Sequence, residues 1–173
     1  MIYVFLANGF EEIEALAPVD FLLRAGVDVK TVGVTGKFCR GAHGINVEAD
    51  ILLDDIQLNE SLQGIILPGG MPGTTNLDAF PAMTDILRTV YDNGGYLAAI
   101  CAAPLILGKR GYLKGMEAIC YPGFESDLIG ARVSDKPVVV DGRIVTARSA
   151  GVAWEFGYRL AELLVGKDTS ESV

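Results

Sequence analysis

The sequence predicts a single α/β domain in which helices cover both faces of a mostly parallel sheet. Short apolar runs alternate along the chain with amphipathic segments, which is the order typical of such folds. Glycine-rich turns follow several of these runs, and the chain holds 21 glycines in all. With 173 residues, 50% of them hydrophobic, the chain is long enough to bury one core. We assign residues 1–167 to this domain and residues 168–173 to a polar tail.

The first half of the chain predicts a strand, a helix and a second strand. IYVFLA at 2–7 is a continuous apolar run that ends in an Asn-Gly turn, which indicates a buried strand. Apolar residues at helical spacing follow, and Gly26 ends that helix. Because Pro18 removes a backbone hydrogen bond inside this segment, we expect the helix to kink or restart there. A second strand is predicted at 29–34, and short strands or a hairpin near 49–53.

The second half repeats this alternation and ends with a hairpin and a helix. Asp141-Gly142, between two alternating runs, is the strongest hairpin signal in the chain. The predicted elements are a strand at 64–70, a helix at 81–91, a strand at 96–100, a helix at 103–109, a hairpin at 137–147 and a helix at 152–164. The tail KDTSESV is polar, and we expect it to be frayed.

The charge balance argues against several classes of partner. A formal net charge of −8 has the wrong sign for a nucleic-acid surface or an anionic membrane. The longest apolar run, around 97–108, contains Pro104 and is shorter than the roughly 20 residues of a membrane helix. Acids stand near the amino terminus in place of a basic leader, so we predict no export signal and a cytoplasmic location.

Metal ions and cofactors are also not expected. Cys39, Cys101 and Cys120 are an odd number of cysteines without C-x-x-C spacing, which argues against a disulfide framework or a zinc site. His43 is the only histidine, so a metal cluster is poorly supplied with ligands. No G-K-[ST] sequence follows the Pro-Gly-Gly turn, which argues against a phosphate-binding loop.

Cys101 is the first candidate for a chemical role. It stands directly after a predicted buried strand and before a predicted helix, where free N–H groups and the helix dipole favour a thiolate. Pro104 suits the first turn of that helix. The alternative is a buried structural cysteine, which is common for free thiols. The position at the junction of strand and helix favours a reactive thiol.

Two further segments follow strands and offer polar groups. Gly69 and Gly70 have no side chains, so their backbone amides can face an incoming oxygen as an oxyanion hole, although a plain loop explains them equally. Glu14 lies four residues before Pro18, and this irregularity makes it a candidate acid or base. The alternative for Glu14 is a surface charge, which is how we interpret the first-turn acids Glu11 and Glu12.

Three basic residues complete the candidate set. His43, in a glycine-rich turn, is the only available imidazole base, but a solvent-exposed turn histidine is the simpler interpretation. Arg148 follows a predicted strand and either binds an anion or pairs with an acid. Arg24 follows Asp20 by four residues, a spacing typical of a salt bridge that stabilises a helix.

Four stretches together resemble the ThiJ/PfpI superfamily, in the branch of the parkinsonism-associated deglycase and chaperone. They are NGFEEIEALAPVDFLLRAG, LPGGMPGTTNL, AAICAAP and TARSAGVAWEFGYRLAELLVGK. The resemblance covers residues 1 to about 167, with the motifs in the same order. It implies a flavodoxin-like three-layer sandwich that forms a homodimer.

The resemblance also implies roles for individual residues. Cys101 matches the reactive cysteine at a strained nucleophile elbow, and Glu14 matches a protonated glutamate that hydrogen-bonds the sulfur and moves protons. Gly69, Gly70 and Ala102 match the backbone positions of the oxyanion pocket.

The basic residues have counterparts in the family as well. Arg24 and Arg148 match arginines near the pocket, and His43 falls where a basic residue of the neighbouring subunit reaches toward the site. Tyr121 departs from the pattern, because several members carry a histidine there in a T-H-P-like stretch. This departure argues against a Cys-His pair within one subunit, and against the related amidotransferases and intracellular proteases.

The resemblance implies a cysteine-dependent, cofactor-free enzyme for a small aldehyde substrate, an α-oxoaldehyde such as methylglyoxal. Such an enzyme converts methylglyoxal to lactate without glutathione, or removes early glycation adducts from proteins. The alternative is an oxidative-stress sensor or redox chaperone that acts through oxidation of Cys101. A thiamine-related role, a label given to similar chains, has no support in the residues because a phosphate loop is absent.

Overall fold

A seven-stranded sheet with helices on both faces forms the centre of the computed structural model, which describes residues 1–173. The strands and helices in chain order are β1 (Ile2–Leu6), α1 (Glu12–Arg24), β2 (Val29–Gly33), β3 (Phe38–Arg40), β4 (Asn46–Glu48), β5 (Ile51–Leu52), β6 (Gly64–Leu67), α2 (Gly73–Asp78), α3 (Met83–Asp92), β7 (Tyr96–Ile100), α4 (Pro104–Lys109), β8 (Glu117–Ala118), β9 (Arg132–Val133), β10 (Val138–Asp141), β11 (Ile144–Ala147), α5 (Ala153–Val165) and α6 (Lys167–Glu171). The α/β prediction is therefore confirmed.

The main sheet is parallel except at one edge. Its strand order is β10-β11-β7-β6-β1-β2-β5, and only β10 runs antiparallel to its neighbour. The predicted hairpin around Asp141 is this β10–β11 pair. Two small sheets, β3–β4 and β8–β9, lie outside the main sheet. Because the central strands are parallel, the loops that follow β1, β6 and β7 meet at one edge of the sheet.

The core has two parts, one on each face of the sheet. Alternate residues of β1 show this directly, since Phe5 joins one buried cluster whereas Val4 and Leu6 join the other. Burial on both faces explains why β1 is apolar throughout and does not alternate. None of the helices has both the length and the apolar character needed to cross a bilayer.

Two predictions about elements were wrong, and one helix was missed. Helix α1 continues through Pro18 as one helix of 13 residues. It packs against α5 at Gly157, where a Cβ atom would lie 3.1 Å from the Pro18 Cα, so close packing between the helices holds α1 together. Helix α2 was not predicted. The tail expected to be frayed forms α6, and the Ser170 side chain is buried there.

Candidate active site

Cys101 occupies a strained turn between β7 and α4. Its φ is 65°, and it is the only residue other than glycine with a positive φ. For a side-chain-bearing residue this conformation costs roughly 1–3 kcal/mol and needs support from its surroundings. Two backbone hydrogen bonds supply that support: the Cys101 N–H donates to Ala147 O at 2.9 Å, and the Tyr121 N–H donates to Cys101 O at 2.7 Å. The turn leaves the side chain partly exposed.

Glu14 lies beside the thiol and is almost completely buried, with 1% of its surface exposed. Its Oε2 accepts a hydrogen bond from the Gly69 N–H at 2.9 Å. A Cβ atom on Gly69 would lie 2.6 Å from that oxygen and 2.7 Å from the Cys101 Cβ. The carboxyl and the thiol therefore meet over a position where only glycine fits.

The environment moves the pKa values of both groups upward. Burial raises the pKa of Glu14 to about 7, although hydrogen bonds with the Cys101 thiol and the Gly69 N–H oppose this. Burial also raises the pKa of Cys101 to about 12, and the neighbouring negative charge of Glu14 adds to the effect. Near neutral pH, the Glu14–Cys101 pair therefore holds one proton that is easily lost, because the pKa of Glu14 is about 7 whereas that of Cys101 is about 12.

The expectation of a thiol acidified by its strand-end position was therefore wrong. Desolvation and the Glu14 charge outweigh the hydrogen bonds from the Ala102 and Gly70 amides, which lower the pKa of Cys101. Helix α4 has only six residues, so its dipole is small. A thiolate beside the Glu14 carboxylate is disfavoured by charge repulsion, and transfer of the proton from sulfur to Glu14 would remove that repulsion.

The backbone amides near the sulfur divide into two roles. The backbone amides of Gly70 and Ala102 lower the pKa of Cys101 by hydrogen bonding. The Gly69 N–H was expected to belong to the oxyanion hole, but it donates its hydrogen bond to Glu14 instead. The structure thus leaves two amides for an oxyanion and uses the third to hold the carboxyl.

The three basic side chains are engaged away from the sulfur. Arg24 Nε pairs with Asp20 Oδ2 at 2.9 Å, as the spacing predicts. The Arg148 guanidinium donates to the Asp135 carbonyl. His43 is held by acids of its own chain, with Nδ1 3.0 Å from Glu12 Oε2, and its side chain is largely exposed.

Glu12 is not the solvated acid that the sequence suggested. It is 4% exposed, and Oε1 accepts a hydrogen bond from the His43 N–H at 2.8 Å. Burial acts to raise the pKa of Glu12, but hydrogen bonds from its own backbone and from His43 lower it overall. Glu12 thus fastens the β3–β4 hairpin onto the start of α1. No local sequence pattern indicates this contact, since the two partners stand 31 residues apart.

One group of side chains offers donor atoms close enough together for a metal cation: Glu11, Glu12 and His43. These atoms lie within 4.8 Å of one another. The buried Glu12 carboxylate is already engaged by backbone amides, so the set acts as a hydrogen-bonded clamp.

The other two thiols, Cys39 and Cys120, are buried. Burial raises the pKa of both, that of Cys120 to about 11.

Comparisons with known proteins agree with this geometry. The model of the DJ-1/PfpI family matches residues 1–163. A solved structure of oxidised Toxoplasma gondii DJ-1 superposes with a TM-score of 0.93 and 35% identity, covering 99% of this chain and 94% of that one.

Two curated relatives carry names of enzymes. The glutathione-independent glyoxalase DJR-1.2 of Caenorhabditis elegans is 31% identical over 94% of this chain and 87% of its own length. The deglycase PfpI of Pyrococcus furiosus is 32% identical over 91% of this chain and 95% of its own length. The strained cysteine, the buried glutamate and a family match over nearly the full length lead to one conclusion: the chain belongs to the DJ-1/PfpI family.

Proposed function

We propose that this protein is a cysteine-dependent enzyme without a cofactor that converts α-oxoaldehydes such as methylglyoxal to hydroxy acids. One observation carries this proposal: a partly exposed thiol in a strained turn lies beside a buried carboxyl whose pKa is raised to about 7. The names of two relatives, a glutathione-independent glyoxalase and a deglycase, support the same reaction type.

In the first step the Cys101 sulfur attacks the aldehyde carbon. Glu14 takes the thiol proton as the carbon–sulfur bond forms, which avoids a free thiolate beside a carboxylate. The Gly70 and Ala102 amides hold the oxygen that gains negative charge, and that oxygen then takes the proton from Glu14. The product of this step is a hemithioacetal, and no atoms are lost.

The following steps move hydrogen between the two carbons. Glu14 removes the proton from the carbon bonded to sulfur and delivers it to the ketone oxygen, which gives an enediol. Glu14 then takes the hydroxyl proton from the carbon bonded to sulfur and delivers it to the neighbouring carbon. The result is a thioester of a hydroxy acid on Cys101. Water releases the acid and restores the thiol, so the reaction needs no external oxidant or reductant. Removal of an early glycation adduct would begin with the same addition to sulfur.

Replacement of the nucleophile tests the proposed function. We expect Cys101→Ser to form lactate from methylglyoxal at least about 1,000-fold more slowly than the wild type, because the covalent step is lost. The matched control is Cys120→Ala, which removes a buried thiol outside the proton-sharing pair and should keep its turnover. Retained lactate formation in Cys101→Ser would show that the thiol is not the nucleophile.

A second candidate function is sensing of oxidants, or redox-controlled chaperone activity, through Cys101. The solved structure of an oxidised relative favours it. A sulfinate at this position would receive hydrogen bonds from the Gly70 and Ala102 amides and from protonated Glu14. After mild peroxide treatment, intact mass should rise by two oxygens, and Cys101→Ala should abolish the gain. Oxidation at Cys39 or Cys120 instead would count against this function.

We also propose a homodimer in the cytoplasm. An apolar groove with a volume of about 380 Å³, lined by Ile13, Leu16, Ile45 and Trp154 among others, supports a second copy as its occupant. Ile13, Ile45 and Trp154 are each more than half exposed in the single chain. Three unpaired thiols suit a reducing compartment. Light scattering of the wild type and of Trp154→Glu tests the dimer, because the charged variant should be monomeric.

A further inference from the structure

Two large, exposed side chains, Met71 and Tyr121, belong to chain segments next to Cys101, and we call them the apolar rim. Met71 follows Gly70, whose amide hydrogen-bonds the Cys101 thiol, and the Tyr121 N–H donates to the Cys101 carbonyl at 2.7 Å. The two side chains are 52% and 46% exposed. An isolated exposed apolar side chain is ordinary, but here two of the segments around Cys101 each carry one.

Elements near the sulfur fix the position of this rim. The Thr75 hydroxyl lies 3.8 Å from the Met71 Sδ, which ties the thioether to the first turns of α2. The Tyr121 carbonyl accepts a hydrogen bond from the Phe124 N–H at 3.1 Å, so its loop is closed by a turn. Both side chains therefore start from ordered backbone. When a ligand covers them, little further conformational entropy of the backbone is lost.

The charges around the site are unfavourable for an anion. Arg24, Arg148 and His43 are engaged by Asp20, the Asp135 carbonyl and Glu12. The Glu14 charge acts on the thiol, and the Glu11 charge acts in turn on Glu14. A carboxylate on the substrate would find these three cations already engaged and would be repelled by the acids.

On the basis of the proposed function, we propose that the apolar rim determines specificity. The site takes uncharged α-oxoaldehydes with an apolar substituent, preferably an aromatic one, which packs on Tyr121 and Met71 while Cys101 attacks the aldehyde. The reaction is unchanged, so phenylglyoxal yields mandelate where methylglyoxal yields lactate. Aromatic rings pack favourably on tyrosine rings and on methionine sulfur.

Steady-state kinetics test the specificity. We expect the wild type to show about 10-fold higher kcat/KM for phenylglyoxal than for methylglyoxal, and poor turnover of glyoxylate. In Tyr121→Ala the ratio of the first two values should fall toward one, whereas Tyr121→Phe should keep it. Met71→Ala should lower the ratio less. The matched control Phe38→Ala removes an exposed aromatic ring from β3 and should leave the ratio unchanged.

A second measurement separates this inference from the proposed function. Phenacyl bromide and bromoacetone both alkylate a thiol when sulfur displaces bromide, and they differ in the same substituent as the two aldehydes. Intact mass gives the labelling rate of Cys101 by each, and the ratio is divided by that for free N-acetylcysteine. We expect a corrected ratio of about 10 in the wild type, lost in Tyr121→Ala and kept in Tyr121→Phe.

The two measurements give distinguishable outcomes. If no oxoaldehyde is turned over but the labelling preference depends on Tyr121, the proposed function fails and the apolar rim stands. If methylglyoxal is turned over and neither measurement favours the aromatic compound, the function stands and the apolar rim is overturned. Equal ratios in the wild type and Tyr121→Ala would also overturn it.

Discussion

At the scale of single residues, one glycine, Gly69, lies against both reacting groups. The Gly69 N–H holds Glu14, and the Gly69 carbonyl accepts a hydrogen bond from the Glu11 N–H at 2.9 Å. The start of α1 is thus fastened to the loop after β6. The Cys101 Cβ lies close to Gly69 as well, in the loop that follows β7. The distance between the acid and the thiol therefore depends on the position of Gly69.

Gly69→Ala tests this arrangement. The added methyl group would press on both Glu14 Oε2 and the Cys101 Cβ, so we expect kcat/KM for the preferred oxoaldehyde to fall roughly 100-fold. Gly26→Ala is the control, because a Cβ there meets no atom within 4 Å. It should lose some stability, since its φ is +78°, but little activity. Similar losses of activity in both variants would contradict the role given to Gly69.

At the scale of elements, a partly buried ion pair joins α2 to α4. Asp78 accepts hydrogen bonds from Arg110 Nη1 at 2.6 Å and from Lys109 Nζ at 2.9 Å. The Asp78 and Arg110 side chains are only 21% and 15% exposed. The ion pair therefore connects α2, which follows the Gly69 loop, to the C-terminal end of α4, which follows Cys101.

Removal of Asp78 should therefore destabilise the fold. We expect Asp78→Ala to lower the free energy of unfolding by about 2–3 kcal/mol, because Arg110 is left partly buried without its partner. The control is Asp85→Ala on α3, whose pair with Arg88 is well exposed and should contribute less than about 0.5 kcal/mol. Urea unfolding of both variants measures the difference. Equal effects would show that burial of the Asp78 pair has no energetic consequence.

Sequence patterns predicted the elements whose signal is local. β1 and β7 were predicted because burial on both faces makes them apolar throughout, and the β10–β11 hairpin because Asp-Gly favours its turn. Helix α2 was missed because it begins with glycine and two threonines, which are poor helix formers.

The parts of the site that were missed depend on long-range contacts. The sequence pointed to Cys101 and Glu14, but the burial of Glu12 depends on a hairpin 31 residues away. The raised pKa of Cys101 depends on desolvation and on the charge of Glu14, which no local pattern reports. For the same reason, the use of the Gly69 N–H by Glu14 became evident only in the folded chain.

At the scale of the whole molecule, the buried acid makes stability depend on pH. The pKa of Glu14 is about 7 in the folded protein, against an ordinary value of 4.5. Between these values the folded state binds more protons than the unfolded state, so the free energy of unfolding falls as pH rises through this window. The loss from Glu14 is on the order of 3 kcal/mol and is complete above about pH 8.

Glu14→Gln should remove this loss. We expect the variant to be more stable than the wild type at about pH 8.5 and to lose most of that advantage at about pH 5, where Glu14 is protonated. Cys101 does not interfere, because its pKa of about 12 lies outside this window. Denaturant unfolding at the two pH values measures the difference. A stability advantage of the same size at both pH values would show that the titration of Glu14 is not its cause.

The most direct test of the shared proton is the pH dependence of Cys101 alkylation by iodoacetamide, followed by intact mass. In the wild type the rate should rise through about pH 7 and then level off, because loss of one proton from the pair allows the thiolate tautomer to form. In Glu14→Gln the rise should move up by at least about one pH unit, toward the range of an unassisted buried thiol. Identical profiles for the two proteins would contradict the claim that Glu14 and Cys101 share a proton.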